Sequence, residues 1–133
     1  MEMEITFPGG ARIDATYDDY VIHTDQPPAD GGEGSAPAPF ALFLASIGTC
    51  AGINILNFCH HRNIPTAEMR IRQRVEFVPR SRMVSRVHLD VLLPPDFPAR
   101  YARAVVNLAQ MCAVQKHLEA PPLFTVEAHL VGE

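Results

Sequence analysis

Residues 35–62 read SAPAPFALFLASIGTCAGINILNFCHHR, and the rest of the chain is organised around this stretch. It has no charged side chain between Phe40 and Cys59, and it is too long and too continuously apolar for a strand. Two prolines precede the apolar run, as prolines do where a helix begins, and Pro65 follows its expected end. The sequence therefore predicts a helix of about 22–24 residues, about 33–36 Å long.

A helix that is apolar nearly all round must be buried, either in a protein core or in a membrane. Four polar residues interrupt this run and weaken the membrane alternative: Ser46, Thr49, Asn54 and Asn57. We therefore expect a central helix covered by sheet on several sides. Cys50 lies at the middle of the stretch, so its thiol is expected in a protected, partly apolar pocket.

Length and composition predict one ordered globular domain over residues 1–133, since 47% of the residues are hydrophobic and 20% are charged. The net charge of −4 disfavours nucleic acid as a partner. The opening MEMEITF is unlike a secretion signal, so we expect a cytoplasmic protein with no membrane partner. Three cysteines do not suit the disulfide framework of a secreted domain.

Alternating apolar and polar residues predict strands on both sides of the central helix. In chain order the expected elements are strands 3–7, Arg12–Tyr17 and Tyr20–Thr24, the central helix, strands 69–77 and 83–93, a second helix over 97–119 and a last strand over 124–131. The order β-β-β-α-β-β-α-β indicates an α+β fold. The pattern leaves open whether the second helix breaks near Cys112. The GGEG stretch at 31–34 is expected to be a connecting loop, because no lysine follows it as in a phosphate-binding loop.

The cysteines are the candidates for chemistry. Cys50 and Cys112 fall on separate predicted helices, where two thiols are either core residues or a nucleophile with its resolving partner. Cys59 follows Cys50 by nine residues and therefore points to the opposite face of the helix. Because consecutive helical residues diverge by about 100°, Cys59, His60 and His61 cannot chelate one ion. We expect neither a metal nor a cofactor.

Three of these stretches together resemble a known family: GGEG, then SAPAPFALFLASIGTC, then MCAVQKHL. They are similar to the OsmC/Ohr family of osmotically inducible and organic hydroperoxide resistance proteins, and the likeness covers essentially the whole chain. TDQP with GGEGSAPAPF is most similar to the subgroup called redox proteins. The resemblance implies an OsmC-like intertwined homodimer with two equivalent active sites at its interface. It also implies that Cys50 reacts with peroxide and that Cys112 resolves it.

In the hydroperoxidase branch of that family, an N-terminal arginine and a glutamate just before the central helix position the reactive thiol. Arg12 is the candidate for the arginine, although an exposed strand residue without a role remains an equal interpretation. Phe40 stands where the glutamate is expected, after Ala38 and Pro39. Glu33 in the glycine loop is a candidate substitute at a different spacing.

The resulting prediction is a peroxiredoxin-like thiol peroxidase that reduces organic hydroperoxides and is reset by an external dithiol. An unperturbed thiol is only a few per cent thiolate at pH 7, so a cation such as Arg12 is expected to activate Cys50. Phe40 and Phe43 are expected to line an apolar substrate pocket. The alternative is a non-enzymatic binder that holds a small lipophilic or sulfur-containing ligand in the interface cleft. A structural dimer with inert cysteines is a third possibility.

Overall fold

The computed structural model describes residues 1–132. The strands are β1 (Glu4–Gly9), β2 (Arg12–Tyr17), β3 (Tyr20–Thr24), β4 (Arg70–Phe77) and β5 (Val84–Leu92), and the helices are α1 (Pro39–His61), α2 (Ala102–Ala109) and α3 (Ala113–Glu119). Short 3₁₀ turns lie at Pro28–Asp30 and Ala99–Tyr101. The mixed α+β class expected from the sequence is confirmed. The chain forms two compact units, Met1–Ser46 and the part that begins at Ile47, with their boundary inside α1.

In the first unit, β1, β2 and β3 form an antiparallel sheet in sequence order. The turn between β1 and β2 contains Gly10 at φ 58°, a left-handed conformation that glycine adopts without steric cost. Arg12 opens β2 beside this turn, and its Nε donates to the carbonyl oxygen of Gly9 at 3.2 Å.

The loop after β3 is organised around Asp25, whose side chain is buried with 1% exposure. Its carboxylate accepts hydrogen bonds from the Ser35 hydroxyl at 2.5 Å and from the backbone N–H groups of Ser35, Gln26 and Glu33 at 3.0, 2.7 and 3.4 Å. These bonds, the Ser35 hydroxyl first, lower the pKa of Asp25 to about 2. A Cβ on Gly32 would lie 2.0 Å from the carbonyl oxygen of Gln26, so the loop closes only with glycine there. GGEG is thus a connecting loop held on a buried carboxylate.

In the second unit, α1 is buried along one stripe. The stripe consists of residues spaced four apart: Ile47, Ala51, Ile55 and Cys59. Its last three members form a core with Phe97, Val105 and Ala109. Other apolar residues of α1 remain exposed, among them Ile53 at 49%. The expectation that sheet covers the helix on several sides is therefore wrong for a single chain, although the expected length matches the 23 observed residues.

By length and composition, α1 is the one helix among the described residues that could cross a membrane, a test that core helices of soluble proteins also pass.

Strands β4 and β5 form an antiparallel pair that covers part of α1. Gln73 lies in the middle of β4, opposite Leu89, among the inward-facing residues of the strand. A Cβ on Gly48 would lie 2.6 Å from Oε1 of Gln73, and one on Gly52 would lie 3.6 Å from Cδ1 of Ile71. The glycine at position 48 therefore makes room for the Gln73 side chain.

The region expected to hold a second helix, 97–119, differs from the prediction. Residues Ala99–Tyr101 form a 3₁₀ turn, and α2 follows it. The helix is interrupted again before α3 begins. Pro98 sterically disfavours the helical conformation at Phe97, the residue before it, and is itself extended at φ −61° and ψ 113°, so regular helix does not begin at residue 97. The break before α3, left open by the sequence, lies at Cys112, whose backbone is extended at φ −72° and ψ 149°.

The last strand expected from the sequence, 124–131, is not formed within the described residues. A strand needs a neighbour for its hydrogen bonds, and neither the three-stranded nor the two-stranded sheet provides one here. Its apolar residues are instead open to solvent, with Phe124 at 82% and Val126 at 95% exposure.

Candidate functional site

The sulfur of Cys50 lies at the start of α3. Cys50 is half-buried on α1, and the backbone N–H groups of Val114 and Ala113 donate hydrogen bonds to it. The N–H of Val114 does most to lower the pKa of Cys50, while burial acts in the opposite direction. The N–H of Ala113 and the Cys112 side chain lower it further, and the net shift is downward. The site therefore favours the thiolate of Cys50, the nucleophilic form.

Cys112 is the N-cap of α3 and is nearly fully buried. Its Sγ accepts a hydrogen bond from the backbone N–H of Gln115 at 3.3 Å, as a serine oxygen does in the same position of other helices. The structure thus brings Cys50 and Cys112 together, as a nucleophile and a resolving thiol require.

The backbone donors to Cys50 were not predicted from the sequence. The prediction named a cation, Arg12, as the activating group, and the structure adds the N–H groups of Ala113 and Val114, which lower the pKa of Cys50. A signal was available: Cys112 followed by Gln115 has the spacing of the Ser-x-x-Gln box that begins many helices. That spacing indicates a helix start at Cys112 and hence free N–H groups beside it.

Cys59 has a different environment. Its side chain is fully buried, and its Sγ lies 4.0 Å from Sδ of Met69. Burial raises the pKa of Cys59, and the charge of Arg62 only partly opposes this. Cys59 is therefore held as a neutral core thiol. No group of three or more potential ligands among residues 1–132 could hold a metal ion.

The other candidate residues lie in the first unit. The guanidinium of Arg12 is exposed at the turn described above, and Glu33 contributes its backbone N–H to Asp25 while its side chain faces solvent. The rings of Phe40 and Phe43 pack against each other, tilted by 37° with centroids 5.4 Å apart, and both remain exposed. Their roles toward Cys50 stay predictions.

Comparison with known proteins identifies the family. The family described as OsmC-like protein matches residues 32–127. A solved structure from Psychrobacter arcticus 273-4, named for osmotic stress induction and a detoxification response, is 24% identical with a TM-score of 0.73, covering 86% of this chain and 85% of that one. An organic hydroperoxide resistance protein OsmC from Legionella pneumophila is 18% identical with a TM-score of 0.55, covering 89% of each chain.

An OsmC-like protein from Mycoplasma pneumoniae is 12% identical with a TM-score of 0.62, covering 91% of this chain and 89% of that one. At these identities the solved structures show a shared fold. A comparison with curated proteins gives no match. The family match extends over well more than half of the sequence and includes both Cys50 and Cys112. The chain belongs to the OsmC-like protein family.

Proposed function

We propose that this chain is a thiol-dependent redox protein that reduces organic hydroperoxides with Cys50 and Cys112. The observation that carries the proposal is the meeting of the two thiols at the start of α3, where Cys50 has a lowered pKa. Family membership and the hydroperoxide resistance named for a structural neighbour agree with it. The fully buried Cys59 has no part in this chemistry.

The proposed reaction has three steps. The Cys50 thiolate attacks the distal oxygen of the hydroperoxide, the O–O bond breaks, and the alkoxide leaves as an alcohol after taking a proton, so that Cys50 becomes a sulfenic acid. The sulfur of Cys112 then attacks the sulfenic sulfur and gives up its proton; the S–O bond breaks, the disulfide forms, and the leaving hydroxide takes up that proton as water. An external dithiol finally reduces the disulfide by exchange and is itself oxidised.

Substrate selection is proposed for the apolar residues near the beginning of α1. Phe40 and Phe43 expose a pair of rings in contact, a surface that favours an alkyl or aryl hydroperoxide over hydrogen peroxide. Arg12, with its guanidinium in solvent, is proposed to assist the thiolate, and Glu33 is the candidate to orient that arginine.

The test is mass spectrometry of the reduced protein after one equivalent of cumene hydroperoxide. We expect a disulfide between Cys50 and Cys112, with a loss of two hydrogens. Cys112→Ser should stop at the sulfenic acid of Cys50, trapped with dimedone. Cys59→Ser is the matched control and should form the same crosslink as the parent. A protein that leaves all three thiols reduced under these conditions contradicts the proposal and favours the ligand-binding alternative.

We also propose that the chain acts as a homodimer in which the C-terminal segment of one copy, residues 123–131, adds to a sheet of the other. Glu127 and His129, two residues apart, form an ion pair at 3.6 Å, which puts both side chains on one side of the segment, as in a strand. Its other face carries the exposed apolar side chains of Phe124, Val126 and Leu130. In a single chain these apolar side chains are exposed to water, and a partner chain would bury them.

A receiving edge exists in the second unit. Among residues 1–132, strand β5 has a neighbour only on its β4 side. A groove of about 630 Å³ runs beside its residues from Val87 to Val91 and is bounded by Ile47, Val106 and Leu118. Unpaired strand edges bind extended segments through backbone hydrogen bonds, with alternate side chains filling the groove. An obligate interface of this kind is expected to bury more than about 2,000 Å² in total.

Two substitutions on neighbouring residues test this assembly. Val126→Lys places a charge on the apolar face, and Thr125→Lys places the same charge on the polar face of the same segment. Light scattering at micromolar concentration should report a dimer for the parent and for Thr125→Lys, and a monomer for Val126→Lys. Because both positions are exposed in a single chain, equal behaviour of the two variants refutes the proposed role of the segment.

A further inference from the structure

Asn54 connects α1 to the end of α2. It lies four residues after Cys50 and therefore on the same face of the helix. Its Nδ2 donates a partly buried hydrogen bond to the carbonyl oxygen of Leu108 at 3.2 Å. Leu108 is the penultimate residue of α2, where carbonyl groups have no partner within the helix. The same oxygen accepts the backbone N–H of Met111 at 3.1 Å, which turns the chain toward Cys112.

The anchored carbonyl lies four residues before Cys112. Between them the chain leaves α2, turns at Met111 and begins α3 with Cys112 as its N-cap. The next two residues, Ala113 and Val114, supply the N–H groups that bond to Cys50. A short turn held at its first residue has little freedom at its last. The hydrogen bond from Asn54 thus fixes the distance between α1, which carries Cys50, and the segment that carries its donors.

We infer that Asn54 is a positioning residue for the thiol reaction: through Leu108 it holds Cys112 and the first N–H groups of α3 against the sulfur of Cys50. The inference rests on the proposed function in its use of Cys50 as the nucleophile. Asn54 touches neither the substrate nor the reacting sulfur atoms in this role. Within the unit that begins at Ile47, Cys112 is the titratable side chain that contributes to the pKa of Cys50.

A purely structural role makes a different prediction. An asparagine in an otherwise apolar helix needs a partner, and the carbonyl of Leu108 satisfies that need whatever Cys50 does. In that case, removing Asn54 changes the stability of the fold and leaves the acidity of Cys50 unchanged. The pH dependence of Cys50 reactivity therefore separates the two roles.

The experiment measures iodoacetamide modification of Cys50 in the reduced protein from pH 5 to pH 10, with peptide mass spectrometry to follow each cysteine. Asn54→Leu keeps the side-chain size and removes the donor. We expect the apparent pKa of Cys50 to rise by about one unit, so that modification at pH 7 slows about tenfold. Asn54→Gln keeps an amide donor and should recover part of the parental rate. Asn57→Leu is the matched control, since it makes the same change at an exposed position of the same helix, and it should leave the profile unchanged.

Two outcomes overturn the inference. One is an Asn54→Leu protein with a lower melting temperature but the parental Cys50 profile. The other is the same slowing in Asn57→Leu. If Asn54→Leu does not fold, Asn54→Ser carries the test, because its side chain is too short to reach Leu108 and a parental profile for it refutes the role. The measurement uses no peroxide, so it remains decisive even if the protein proves unable to reduce one.

Discussion

Cys112 has two roles that substitution can separate, because its sulfur both faces Cys50 and caps α3 through Gln115. Serine is a better helix cap than cysteine, whereas alanine cannot cap at all. Loss of a cap costs about 1 kcal/mol of folding free energy, with a range of about 0.5–2. For a chain of this length, that corresponds to a fall in melting temperature of about 3–4 °C. We therefore expect Cys112→Ser to melt at or above the parental temperature and Cys112→Ala to melt below it.

Cys59 provides the matched control because it is equally buried but caps no helix. Its side chain lies in the apolar core beside the sulfur of Met69, so a serine hydroxyl there loses its water without gaining an equivalent partner. That loss costs about 1–3 kcal/mol, and Cys59→Ala should be the milder change. The predicted order of stability therefore differs between the two positions. At position 112 the serine variant should be more stable than the alanine variant, and at position 59 the alanine variant should be more stable.

The assay is thermal unfolding of the four variants and the parent, under reducing conditions and at one protein concentration, since association changes the midpoint. Circular dichroism at 222 nm reports the helices directly. If alanine is better tolerated than serine at both positions, the sulfur of Cys112 contributes no cap. The hydrogen bond from Gln115 then has no energetic consequence and does not hold α3 in place.

Other contacts of the fold can be tested by substitution. Gly48→Ala should lose about 1–3 kcal/mol by overpacking against Gln73, and the double variant with Gln73→Ala should recover most of it in urea unfolding. The pKa of Asp25 is lower in the folded than in the unfolded chain, so the ionised carboxylate stabilises the fold. This contribution is complete above about pH 4 and is lost as the pH falls toward 2. Asp25→Asn should therefore be less stable than the parent at neutral pH and should not show this loss of stability in acid. Arg12→Ala should raise the pKa of Cys50 and slow its alkylation while leaving the proposed dimer intact, and an unchanged profile would remove Arg12 from the site.

Much of the fold follows from local patterns. The uninterrupted apolar run predicts α1, and strict alternation predicts β4 and β5, because periodicity expresses which face of an element is buried. The last strand was expected on the same grounds, yet it is not formed in one chain. Alternation shows that residues 124–131 have an apolar face but does not show which backbone pairs with them. That information lies in tertiary or quaternary contacts.

The cysteines of the candidate site could be predicted from the sequence, but the groups that lower the pKa of Cys50 could not. Cys50 and Cys112 stand out because sulfur is rare and chemically distinctive. The donors of Ala113 and Val114 are backbone N–H groups, which every residue type except proline has. No side chain in the sequence therefore identifies them. Asn54 was visible only as a polar interruption of an apolar helix. Its partner, a carbonyl group 54 residues away, depends on where α2 ends.

The buried thiol of Cys59 can be used to measure how often the core around α1 opens in the native protein. A neutral sulfur with no exposed surface reacts with a solution reagent only when the surrounding core comes apart. When closing is fast, the rate at which Cys59 is modified in the native protein equals its rate in the unfolded chain multiplied by the open fraction. The free energy of opening around α1 is therefore measurable without denaturant, from the same samples in which Cys50 reports the chemistry of the site.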